Sequence, residues 1–155
     1  MENKQKIIKY IIVIASIVFV AVIGSIFVNI GMDWFSGLDK PIQFVPNFII
    51  PIVWTVIYVL FAITLCLWVA KDSIPKKTIV LLIINGILNI LWCLVFFALN
   101  QTFLGLISII LLLIMAYYLV LNISAYKPLY FYIIALYPIW ASIATCLNLA
   151  LWILN

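Results

Sequence analysis

The chain has 155 residues, 70% of them hydrophobic and 8% charged, with a net charge of +4 and no histidine. A soluble domain of this size needs a far more charged surface, so an integral membrane protein is expected. The missing histidine excludes Ser–His hydrolysis, His-ligated haem and most transition-metal sites.

Charge-free runs cover residues 10–32, 41–70, 78–126 and 128–155. A helix needs about 20 apolar residues to cross a hydrocarbon core of about 30 Å. The first span is expected over 8–30. Lys4, Lys6 and Lys9 precede it, as in a signal peptide, but the apolar run is longer than a typical h-region and no clear A-x-A site follows. It therefore reads as a retained span. The connection 31–47 holds two Gly, two Pro, two acids and Trp34, and is long for a membrane bundle; it is either a lid over a site or a surface connector. The second span is expected over 46–70 and the third over 78–99. The third charge-free run is long enough for two spans, with its break at Asn100, Gln101 and Thr102. The fourth follows over 103–124 and the fifth over 129–153. Apolar residues run continuously rather than alternating, so these are helices and not barrel strands. The expected fold is an all-α membrane protein: one domain over 1–155, a five-transmembrane-helix bundle with a long outer loop between helices 1 and 2.

Seven lysines (Lys4, Lys6, Lys9, Lys71, Lys76, Lys77 and Lys127) fall on one side of such a weave, and Lys40 falls on the other beside Asp33 and Asp39. The positive-inside rule then places the N-terminus in the cytoplasm and the C-terminus outside, in a cytoplasmic membrane of bacterial type. The lysines sit in short connections, so they mark topology and not a nucleic-acid patch. Cys66, Cys93 and Cys146 lie mid-span without C-x-x-C pairing and read as small apolar residues, with no metal site expected.

Steps of three and four residues reveal faces. Trp54, Tyr58, Phe61, Leu65 and Trp68 share one in the second span. Asn85, Asn89, Trp92, Phe96 and Asn100 share another in the third, and Tyr137, Trp140, Ala144, Asn148 and Trp152 a third in the fifth. The first span offers Ser16, Val20, Gly24 and Phe27, and the fourth Gly105, Ser108, Leu112 and Met115. Trp68 and Trp152 lie near span ends and read as interfacial belt residues. Two readings of the stripes stand side by side. Interhelical Asn hydrogen bonds and small residues pack membrane helices. Alternatively, the amides and rings line a ligand cavity, since unpaired amides facing lipid are costly and ligand sites combine apolar walls with few polar groups. The absence of charge within the spans argues against an ion pathway or proton relay, and suits a large, flat, mostly apolar ligand.

The residues "DWFSGLDKP", "PIVWTVIYVLFAI", "LNILWCLVFFALN" and "LYPIWASIATCLNLALWILN", in this order, resemble the loop and the second, third and fifth spans of the TspO/MBR family. This family comprises the tryptophan-rich sensory proteins and translocator proteins. The resemblance implies a five-helix bundle, often a homodimer, with the first loop closing a pocket for porphyrins, sterol-like molecules or synthetic aromatic ligands. By position it puts Trp34, Phe35, Trp54, Asn85, Asn89, Trp140 and Ala144 in the pocket, with Lys40 and Pro41 holding the loop; Pro46 keeps one of the family's paired loop prolines. Tyr58, Trp92 and Asn148 join them from the stripes. The chain departs from the pattern at Gln43, where the family has a loop Trp, at Val45 for a proline, at Pro51, one place early, at Cys93 for a serine, and in "YP" for "PY" before Trp140.

Two functions are expected from these residues. One is a membrane sensor, receptor or carrier binding protoporphyrin IX or a sterol-like molecule, with no cofactor required and no partners beyond lipid, ligand and a second copy. The other is light-dependent porphyrin degradation with Trp54 and Trp140 as the redox residues, because indole is readily oxidised.

Overall fold

A computed structural model describes residues 2–42 and 45–155. The position of the missing loop Trp, Gln43, lies outside the described residues. The helices are α1 (Glu2–Ile30), α2 (Met32–Gly37), α3 (Ile49–Lys71), α4 (Lys76–Cys93), α5 (Thr102–Tyr126), α6 (Pro128–Ile134) and α7 (Leu136–Leu154). Among the described residues, five stretches are long and apolar enough to cross a membrane. The all-α, five-span bundle expected from the sequence is thus the observed architecture.

The helices close into a ring. α1 packs on α3 and α4, α4 on α5, α5 on α6 and α7, and α6 and α7 return to α3. In lipid there is little hydrophobic drive between helices, so close approach at small residues decides the packing. A Cβ on Gly31 would stand 2.1 Å from the Phe97 carbonyl oxygen, and one on Gly105 2.5 Å from the Phe96 ring. Gly24 faces Cys93 Sγ and Gly86 faces Val20 Cγ2, at 3.3 and 3.1 Å from the same hypothetical atom. Gly86, Gly24 and Gly31 therefore form a seam that draws α1 onto α4. α5 supplies the tightest packing: Ile109, Leu112, Ala116, Leu119 and Ile123 are wholly buried.

Three local features differ from the expected spans. The first is in the loop 31–47, where six residues form α2. Its C-terminal carbonyls are capped by Lys40 Nζ, which donates to Phe35 O at 2.6 Å, Leu38 O at 3.2 Å and Ser36 O at 3.3 Å. A cation suits the negative end of a helix and satisfies its unpaired carbonyls. The same ammonium lies 4.7 Å from the centre of the Phe35 ring.

The second is at the end of α4, which widens into a π-helical turn over Leu94–Ala98. Leu99 N donates to Leu94 O at 2.9 Å, five residues back. This wider turn carries the adjacent Phe96 and Phe97 both inward, 1% and 4% exposed. It ends at Asn100, whose φ of 56° is left-handed. Asn100 is exposed there and leaves the face that 3.6-residue spacing assigned to it.

The third is the fifth span, expected as one helix over 129–153. It is broken at Ala135 into α6 and α7. Pro138 lacks an N–H, and its ring crowds the carbonyl of Ile134 four residues back, which ends the first segment. Trp68, expected in an interfacial belt, is instead a core residue at 1% exposure, packed beside Tyr126 and Tyr130. Trp152 is exposed and lies against Phe103.

Candidate functional site

The hydroxyls and amides inside the bundle are mostly engaged. Thr55, Thr64, Ser142 and Thr145 donate back to carbonyls four residues earlier on their own helices. The amides instead tie helices together. Tyr58 Oη donates to Asn89 Oδ1 at 2.8 Å, joining α3 to α4. Asn85 Nδ2 donates to Tyr137 Oη at 2.8 Å, joining α4 to α7. Trp92 Nε1 donates to Asn148 Oδ1 at 3.2 Å, and Asn148 Nδ2 to Ala144 O at 2.8 Å. Thr78 donates to Asn122 at 2.8 Å, joining α4 to α5. Asn85, Asn89 and Trp92 thus fasten α4 to α3 and α7, and Thr78 fastens it to α5.

A cavity of about 860 Å³ lies between α1, α3 and α4. Its α3 wall carries Trp54, Ile57, Tyr58, Phe61, Leu65 and Val69; α4 supplies Leu82, Asn85, Gly86 and Asn89; Tyr137 reaches in from α7. The rings of this wall touch: Phe61–Tyr137 centroids are 5.3 Å apart, and Trp54 is 6.2 Å from both Tyr58 and Tyr137. α1 lines the opposite side with Lys9, Ile12, Val13, Ser16 and Val20. α1 and α4 come close at Val20 and Gly86, and the cavity opens through a gap between them. Exposed Ile12, Phe19, Ile83 and Ile87 edge that gap. Asp72, Ser73 and Ile74, from the α3–α4 connection, complete the mouth. Such a volume is typical of small-molecule sites, about 300–1,000 Å³.

The sequence reading set the pocket beneath the loop between helices 1 and 2, whereas the 860 Å³ cavity lies between α1, α3 and α4. At the loop end, among the described residues, lies a crevice of about 20 Å³ lined by Phe35, Trp54, Trp92, Trp140, Ala144 and Asn148 among others. The reason is the π turn with α2. Phe35 lies 5.4 Å from Phe97 and 6.2 Å from Phe96, and Trp34 lies 5.5 Å from Phe96. These rings fill the loop end. Trp54, Tyr58, Asn85 and Asn89 therefore sit on the large cavity, whereas Phe35, Trp92, Trp140, Ala144 and Asn148 sit on the crevice, with Trp54 between the two. Trp34 lies behind them, half-buried. Lys40 caps α2, Pro41 is half-buried and Pro46 exposed; the loop is also tied at Asp39, whose N–H donates to Asn155 Oδ1 at 2.9 Å.

Among the described residues, two buried side-chain groups lack a partner: the indole N–H groups of Trp54 and Trp140. Both border the crevice. The missed lining residues are chiefly those of α1. Ser16 and Val20 lie on the face offered for the first span, but Ile12 and Val13 were not read with it, because apolar residues surround this helix on all sides. Lys9 carried only a topology signal.

The TspO/MBR family model matches residues 12–153. The chain belongs to the TspO/MBR family. It is 29% identical to a tryptophan-rich protein TspO of Archaeoglobus fulgidus, over 97% of this chain and 99% of that protein. It is also 29% identical to a tryptophan-rich protein TspO of Chlorobaculum tepidum, over 85% and 86% of the two chains. Identity to protein CrtK of Rhodobacter capsulatus is 24%, over 79% and 78%. TspO/MBR membership and five apolar spans make this an integral membrane protein of a sensory and ligand-binding family.

Proposed function

We propose that the protein is a membrane receptor or carrier for a large, flat, apolar molecule of the porphyrin class, held between α1, α3 and α4. The observation that carries this is the 860 Å³ cavity with one continuous aromatic wall. Face and edge contacts with Tyr58, Phe61 and Tyr137 suit a planar ring. Two amide groups are left for the ligand: Asn89 uses its oxygen for Tyr58, and Asn85 uses its nitrogen for Tyr137. The Asn89 Nδ2 donor and the Asn85 Oδ1 acceptor have no partner among the described residues, so they supply orientation. Sterol-like molecules fit the apolar walls and are the second class to assay. The homodimer implied by the family resemblance belongs to the same proposal, as does a cytoplasmic N-terminal face, which the lysine distribution favours.

Binding is favoured over photo-oxidation by the placement of the tryptophans. Trp54 meets the cavity, whereas Trp140 borders only the crevice. The test is titration of protoporphyrin IX into membranes containing the protein, read by porphyrin fluorescence. Saturable binding is expected, weakened about fivefold or more in Asn89→Leu through loss of one hydrogen bond. A saturable isotherm indifferent to Asn89→Leu contradicts the proposal.

A further inference from the structure

The cavity carries a charge at one end only. Lys9 and Asp72 are the charged residues of its lining, and both stand at the N-terminal mouth. Asp72 is already committed: Lys127, from the α5–α6 connection, forms a salt bridge with its carboxylate. Lys9 has no ion pair or hydrogen bond among the described residues. Of the charged lining residues, one unpaired cation therefore remains at the mouth. Val20, at the inner end, stands about 16 Å further along α1 by helical rise. The site is thus amphipathic along its length, with rings and amides within and an ammonium at the entrance.

We propose that the ligand is an acid, with its apolar ring system inward against α3 and its carboxylate at Lys9, and that it enters from the N-terminal face through the gap between α1 and α4. This rests on the reading of the cavity as a porphyrin-class site and adds to it a headgroup, an orientation and a route. Phe35, Phe96 and Phe97 fill the loop end, and Lys9, Asp72 and Ser73 form the polar rim at the opposite end of the α1–α4 gap.

The experiment compares protoporphyrin IX with its dimethyl ester, which keeps the ring and loses both charges. Both are titrated into the full-length protein in phosphatidylcholine vesicles, so that no anionic lipid competes. The wild type is expected to bind the diacid about fivefold more tightly than the ester. Lys9→Gln should erase that preference by weakening the diacid more than the ester, and Lys9→Arg should restore it. Lys4→Gln makes the same change in net charge on an exposed residue outside the cavity, and should keep the preference. Equal binding of acid and ester by the wild type, or an equal effect of Lys4→Gln and Lys9→Gln, overturns the headgroup assignment and leaves the porphyrin site standing. If neither compound binds saturably, the porphyrin site itself fails, and this inference with it.

Discussion

Tyr58 on α3 and Asn89 on α4 meet across the cavity in a 2.8 Å hydrogen bond, with the phenol donating to the amide oxygen. The pair braces two walls of the cavity and fixes which amide group is left for a guest. A double-mutant cycle separates the brace from its parts. Tyr58→Phe leaves the buried Asn89 oxygen without a donor and should cost about 1–3 kcal/mol. Adding Asn89→Leu removes the stranded group, so the double variant should be more stable than the Tyr58→Phe single variant. Thermal unfolding in detergent, followed by circular dichroism, reads the order. A double variant less stable than either single variant contradicts the assignment of the pair.

The two kinds of buried indole predict opposite sensitivities. Trp92 donates to Asn148, whereas the Trp140 N–H has no partner among the described residues. Replacing each with Phe removes a similar ring area, but only Trp92→Phe strands an amide oxygen. Trp92→Phe should therefore destabilise by about 1–2 kcal/mol more than Trp140→Phe. Equal losses in the same melting assay would show that the Trp92–Asn148 contact contributes nothing.

Backbone approach at Gly31 gives a sharper structural test. A Cβ there meets the Phe97 carbonyl oxygen at 2.1 Å, while one on Gly37 meets nothing within 4 Å. Neither backbone nor the π turn can yield cheaply, so Gly31→Ala should cost about 1–3 kcal/mol or more. Gly37→Ala should stay within about 0.5 kcal/mol of the wild type. Similar melting temperatures for the two variants would mean that α1 does not seat on the π turn as described.

The Asp72–Lys127 salt bridge pins the α3–α4 connection, and the hydrogen bond from Lys127 to Asp72 holds the lysine above its ordinary value. A raised lysine contributes stability that is fully present below the ordinary lysine range. That contribution is lost as pH climbs through the raised value. Amide exchange at residues 72–74, corrected for intrinsic rates, should therefore stay flat through neutral pH and accelerate only in strongly alkaline solution. Lys127→Gln should abolish the alkaline transition. A transition near neutral pH in the wild type would contradict the assignment.

How much of this was legible in the sequence depends on the scale of the feature. The spans follow from charge-free runs, and the turn at Asn100–Gln101–Thr102 from the polar break in one of them. The inward face of α4 follows from the cost of amides in lipid, and Asn85, Asn89 and Trp92 do turn inward. Their partners were not legible, because Tyr58, Tyr137 and Asn148 come from other helices whose rotation the sequence leaves open. Pro138 marked the break at Ala135, yet proline is common enough in membrane helices that the span still read as one. The π turn was hidden for a different reason: it changes the period, so Phe97 enters the core and Asn100 leaves it against 3.6-residue spacing. That same turn moved the open volume. With Phe96 and Phe97 both inward and Phe35 above them, the loop end is filled, and the space lies with Lys9 and Asp72 instead.

The central claim is that the ligand occupies the α1–α3–α4 cavity and not the crevice beneath the loop. Protoporphyrin IX affinity in two space-filling variants tests it most directly. Leu82→Trp fills the cavity, and Ala144→Val fills the crevice. The account predicts that Leu82→Trp raises the Kd about tenfold or more, by displacing the ring from its wall, while Ala144→Val leaves it within about twofold. Unchanged affinity in Leu82→Trp with loss of binding in Ala144→Val would place the ligand at the outer end and contradict the account.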